Sequence, residues 1–213
     1  IAFEWSPDSK WLLSTYIGNG GWNNQDIALV KADGKEVHNL TKSGYSDSNG
    51  KWVLDGKARL FQSDRAGYRS HGSWGAEDDA YIMFFDRDAY NRFNMSKEEL
   101  AAANKDEKEK KAAEKKEEAK KKADEKQNKT GKRQVEKVKP LELDIENCRD
   151  RIVRLTANSS HMGDAVLSKD GDKLYYQAAF EDGYDLWQHD LKDGSTKLVM
   201  KGVGQGNLQT DKD

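Results

Sequence analysis

Cysteine is all but missing from this sequence. Cys148 stands alone, which excludes an internal disulfide and a four-ligand zinc site built on thiols. Histidine is sparse too, and His38, His161 and His189 show no metal-ligand spacing. No apolar run approaches the roughly 18 residues needed to span a membrane, and no Gly-x-Ser-x-Gly elbow occurs. Hydrophobic residues make up only 35% of the chain, against 35% charged, which is polar for a globular domain. The charge is unevenly spread. Of the 36 Lys/Arg and 38 Asp/Glu, 16 and 11 fall between positions 97 and 139, leaving 20 and 27 elsewhere, a net of −7. An acidic body argues against nucleic acid as a partner. The chain opens at Ile1 without Met or a signal peptide and ends just past the strand-like Gly206–Thr210, so both ends are expected to be cuts within a longer protein.

What is present is a repeated grammar. Trp5-Ser6-Pro7-Asp8-Ser9-Lys10-Trp11-Leu12, Trp52-Val53-Leu54-Asp55-Gly56-Lys57-Ala58-Arg59 and Leu167-Ser168-Lys169-Asp170-Gly171-Asp172-Lys173-Leu174 each set a tight turn between two strand-like runs. An Asp then precedes a further hydrophobic run at Asp26-Ile27-Ala28-Leu29, Asp79-Ala80-Tyr81-Ile82 and Asp185-Leu186-Trp187. A closing strand ends in Leu40-Thr41 and again in Leu155-Thr156. Asp8 and Asp55 lie 47 residues apart but Asp55 and Asp170 lie 115 apart, so an insertion separates the second and third copies. Repeats of roughly 40–50 residues holding four short strands are the signature of propeller blades.

These residues resemble the TolB-type β-propeller repeat. The longer run from Leu54-Asp55-Gly56-Lys57 through Ser63-Asp64-Arg65-Ala66-Gly67-Tyr68-Arg69-Ser70-His71-Gly72-Ser73-Trp74-Gly75 is similar to the propeller region of bacterial tricorn-like serine peptidases. The resemblance covers nearly all of the chain except the charged insert, and nothing matches the PDZ and peptidase domains that follow in such enzymes. It implies a non-catalytic segment that guides or filters peptides toward a protease domain outside this chain. The partners implied are a peptide or protein substrate and the remaining propeller, PDZ and protease domains. A periplasmic or secreted setting is implied as well, with the cytoplasm left open. Two other readings fit the same blades: a stand-alone TolB-type protein-binding propeller, and the propeller lid of a prolyl-oligopeptidase-like enzyme.

The expected fold is all-β: about three four-stranded blades of a larger propeller, with a charged α-helix inserted. The expected boundaries are a blade at 1–44, the first three strands of a second at 45–93 and a helical insert at 94–140. A return strand at 141–160, a third blade at 161–203 and the start of another at 204–213 complete the division. Ser96 and Glu99 form a capping box, followed by a run of Ala, Lys and Glu without a Leu seam, which predicts a solvated helix over about 96–127. Trp5 and Trp52, at equivalent positions, are expected to fill the space between blades. If the arc is open, Phe3, Trp5 and Ile27 would be exposed at one end and Leu186, Trp187 and Leu198 at the other, and association of two copies would cover them. Ser70, His71, Ser73, Asp78 and Asp79 crowd one loop, whereas catalytic triads draw on separated elements, so no catalytic residue is assigned. The same loop supplies the candidate substrate contacts, Arg69, His71 and Trp74. No metal site or cofactor is expected.

Overall fold

A computed structural model of the chain describes residues 3–18, 24–70, 75–109 and 139–210. These residues separate into two compact units, Ile1–Tyr90 with Lys139–Asp213, and Asn91–Val138. The first unit consists of three antiparallel sheets of four strands, each a simple meander. Blade 1 contains β1 (Phe3–Trp5), β2 (Trp11–Ile17), β3 (Gln25–Lys31) and β4 (Val37–Asn39). Blade 2 contains β5 (Asp47–Val53), β6 (Ala58–Ser63), β7 (Asp79–Phe84) and β8 (Ile152–Arg154), and blade 3 contains β9 (His161–Leu167), β10 (Lys173–Ala179), β11 (Asp185–Asp190) and β12 (Thr196–Met200). The first strands of the blades lie side by side. Glu4 on β1 accepts from the Trp52 amide on β5 (2.7 Å), and Lys51 on β5 reaches Asp164 on β9 (2.6 Å).

Alternation along the strands explains how the sheets stack. Leu13, Ile27 and Leu29 share one face of blade 1 and pack with Phe61, Tyr81, Met83 and Phe85 of blade 2. Leu60, Ile82 and Phe84, on the opposite face of blade 2, are buried too. Blade 2 is therefore apolar on both faces, as a sheet covered on both sides must be. Register corrects the expected surface. Trp5, Leu12, Val30 and Val37 form one cross-strand row, with Phe3 on the same face. Ile27 points the other way and is fully buried. At the far end, Leu186 pairs with Met200 on one face, while Trp187 pairs with Leu198 on the other. Ile27, Trp187 and its cross-strand partner Leu198 therefore do not belong to the outer faces, because adjacent residues of a strand face opposite sides while directly paired residues share one. Trp52 stacks on Phe85 with ring centroids 5.4 Å apart, whereas Trp5 remains 49% exposed, so it fills no seam among the described residues.

The tight turns between first and second strands follow two designs. Ser6 donates to Asp8 (2.6 Å) and accepts from the Trp11 amide (2.9 Å). Ser168 repeats this with Asp172 (2.7 Å) and the Lys173 amide (3.0 Å). Blade 2 has no serine there. Its turn places Leu54, Asp55 and Gly56 all at positive φ (53°, 55° and 85°), a costly conformation for leucine. Packing holds it in place. A Cβ on Gly171 would come 3.0 Å from the Leu54 side chain, and one on Gly56 would come 2.7 Å from Leu141.

Leu141 belongs to a strap over residues 141–148 that the sequence reading treats only as a return path. Its amide donates to Asp8 of blade 1 (2.8 Å), and Leu143, Ile145 and Cys148 pack into the core between blades 1 and 2. Arg151 ties the end of the strap to the Phe84 carbonyl (3.1 Å) and to Asp144 (2.9 Å). In the same core the Arg59 guanidinium is wholly buried, 4.4 Å from the Phe61 ring centre. Burial pulls its pKa down to about 9. Neither of its terminal nitrogens has a hydrogen-bond partner among the described residues.

In the second unit, the Ser96 amide donates to the Glu99 carboxylate (2.8 Å) and the Glu99 amide donates to Ser96 Oγ (3.2 Å). This reciprocal cap opens a helix running through residues 97–109. The remainder of the helix expected to 127 lies outside the described residues.

Candidate functional site

Two regions can carry function. The first is the loop over residues 64–78. Arg69 is held there by three groups: Asp64 (2.9 Å), the Gly44 carbonyl (3.1 Å) and Asn24 (3.3 Å). It ties the blade 2 loop to the neighbouring segments of blade 1. His71 and Trp74 lie outside the described residues. Asp79 is fully buried and accepts from Arg154 (2.8 Å), Thr156 (2.6 Å) and Ser159 (2.8 Å). Ser70 donates to the Gly75 carbonyl (2.9 Å). The Ser70 bond braces the loop against itself, whereas the Asp79 bonds tie its exit to the segment that follows β8. Asp78 differs, because burial, with Asp64 and Asp79 close by, pushes its carboxyl up to about 6. Among the described residues, no group of three or more His, Cys, Asp or Glu is placed to hold a metal ion.

The second region is a cavity of about 430 Å³ against the first strands of the blades, lined by Phe3, Glu4, Lys51, Trp52, Val166 and Leu208 among others. β5 is irregular where it borders this space. Its register shifts between Ser48 and Lys51, Asn49 sits at φ 51°, and Gly50 packs its bare Cα toward Ile27. A bulge of this kind re-aims the neighbouring side chains. Lys51 projects toward blade 3, donating to Asp164 (2.6 Å) and to the carbonyls of Ala165 (3.0 Å) and Leu208 (3.2 Å). Burial raises the Glu4 carboxyl above the usual carboxylate range, opposed by the Trp52 amide and by Lys51. The cavity therefore combines apolar wall with a few charge-bearing groups that meet main-chain atoms, a composition suited to binding. Among its described lining residues no nucleophile is paired with a base. Sequence reasoning did not find it, since Lys51 and Asp164 lie 113 positions apart and neither belongs to a motif.

Four-stranded meanders set side by side on their first strands define an arc of a β-propeller, with the cavity on the inner-strand side. Of the comparisons with solved structures, that with the tricorn protease supports this fold. The tricorn protease superposes with a TM-score of 0.57 at 10% identity, over 93% of this chain and 18% of that one. TolB from Acinetobacter baumannii gives 0.49 at 19% identity, over 92% and 31%. A putative TolB from Agrobacterium tumefaciens gives 0.48 at 13%, over 94% and 46%. The chain thus spans less than half the length of each. No family model matches it, and no curated protein matches it.

Proposed function

We propose that this chain is a non-catalytic propeller segment that binds polypeptide on its inner-strand side and guides or filters it toward a protease domain outside this chain. The observation that carries the reading is the cavity, where Glu4, Lys51 and Asp164 spend their polar groups on main-chain amides and carbonyls. Groups that read main chain recognise polypeptide without regard to sequence, which suits a guide. The likeness in fold to the tricorn protease supports the reading, as does the absence of a nucleophile–base pair among the described residues of the cavity. Among the described residues no helix is long and apolar enough to cross a membrane.

Fluorescence anisotropy of a labelled pool of unstructured peptides tests the proposal. The chain is expected to bind the pool without cleaving it, and Phe3→Asp or Val166→Asp is expected to weaken binding at least fivefold. Binding that ignores both substitutions, or hydrolysis by the purified chain, would overturn the reading.

A further inference from the structure

Three side chains from three strands converge on one short stretch of backbone. Gln177 on β10 accepts from the Gly206 amide (3.1 Å). Asp164 on β9 accepts from the Leu208 amide (2.7 Å), and Lys51 on β5 donates to the Leu208 carbonyl (3.2 Å). The amide of one residue and both backbone groups of the residue two further on lie along one edge of an extended chain. That is the set a neighbouring β-strand would engage, supplied here by side chains. Asp164 and Gln177 are buried although the backbone they hold belongs to a mostly exposed segment, with only Leu208 and Val203 part-covered between 201 and 210. The Lys51–Asp164 pair further fixes both groups in place.

We propose that Lys51, Asp164 and Gln177 form a reader of extended polypeptide backbone, occupied in this structure by the chain's own residues 206–210. The inference rests on the cavity being a polypeptide surface and adds what is recognised there: an edge of main chain, with one aliphatic side chain seated where Leu208 lies. Residues 206–210 are then a resident occupant that a passing segment displaces. The hydrogen bonds of all three groups to the occupant go to its backbone, so the site tolerates sequence and rejects backbone that lacks the amide hydrogen.

The test makes the double replacement Gly206→Pro and Leu208→Pro in the full chain, which removes the two amide hydrogens that Gln177 and Asp164 hold, and titrates the labelled pentapeptide Gly-Asn-Leu-Gln-Thr. The replaced chain is expected to bind it at least tenfold more tightly than the unmodified chain. Exchanging Asn and Gln in the peptide should change affinity less than threefold. Methylating the Leu amide nitrogen, or introducing Asp164→Asn, should cost tenfold or more. A folded replacement that gains no affinity, or one that binds the N-methylated peptide equally well, overturns the proposal. Should the replacement not fold, excess peptide on the unmodified chain must accelerate hydrogen exchange at the Leu208 amide, and unchanged exchange is equally fatal. Binding of the peptide pool by the unmodified chain, with no gain on replacement, leaves the guiding function standing and removes only the backbone reader.

Discussion

Blades 1 and 2 close their outer strands differently from blade 3, and the difference lies in one recurring aspartate. Asp26, at the start of β3, accepts from Thr41 (2.9 Å), Asn39 (2.8 Å) and the Ser43 amide (3.2 Å), while Thr41 Oγ1 in turn accepts from the Ile27 amide (3.0 Å). Asp79 does the same in blade 2 with Thr156, Ser159 and Arg154. Each cluster fastens the exit of the fourth strand to the entry of the third. In blade 3 the residues following β12 are Lys201 and Gly202, and Asp185 meets only the Gly202 amide (2.8 Å) among the described residues. Every residue of β12 is exposed. The repeated Asp and the repeated Leu-Thr are thus two halves of one clamp. Where Thr is missing, the exit of the outer strand keeps only the Asp185–Gly202 bond of this clamp among the described residues.

The largest expected effect is at Asp79. Asp79→Ala strands buried donors and removes a charge partner, so it should destabilise the chain by about 3 kcal/mol, measured by urea unfolding. Asp26→Ala, whose partners are uncharged, should cost about 2 kcal/mol. Equal losses at Asp26 and Asp185 would break the comparison.

Asp78 sharpens the comparison in pH, because it sits beside the blade 2 clamp with a carboxyl pushed up to about 6. A carboxyl raised on folding binds more protons in the folded than in the unfolded state between about pH 4 and 6. Stability relative to Asp78→Asn should therefore fall as pH rises through that window, by up to about 2 kcal/mol, and stay level above about pH 7. A rise instead would show that the carboxylate is stabilised by its surroundings. Installing the missing half of the clamp with Lys201→Thr should gain about 1 kcal/mol, visible as a raised Tm. Smallest of all, Asp185→Ala should change stability by no more than about 0.5 kcal/mol.

The sequence makes the repeat, the four-strand grammar and the helix cap at Ser96 readable because each is local. Asp26 and Thr41, or Asp79 and Thr156, appear as separate signals, since the bonds joining them span 15 and 77 positions. Only the folded meander brings them together. The strap is missed for another reason. Leu141, Leu143 and Ile145 alternate as a strand would, yet 141–147 forms no strand and its apolar side chains enter the core beneath blades 1 and 2. The misplacement of Ile27, Trp187 and Leu198 comes from reading hydrophobicity without register, which bulges such as that between Leu186 and Trp187 shift by a residue. At the candidate site, Arg69 stands out in the sequence because it lies in a motif. Lys51, Asp164 and Gln177 do not, because convergence of three strands leaves no spacing pattern.

Hydrogen exchange with and without a saturating pool of unstructured peptides tests most directly that function resides on the inner-strand side. Protection is predicted over residues 49–53 and 161–166, together with faster exchange at the Leu208 amide as the resident segment is displaced. Residues 37–46 and 64–70 should be unchanged. Protection confined to 37–46 and 64–70, with the inner strands unaffected, would contradict the account and move the binding surface to the loop that holds Arg69.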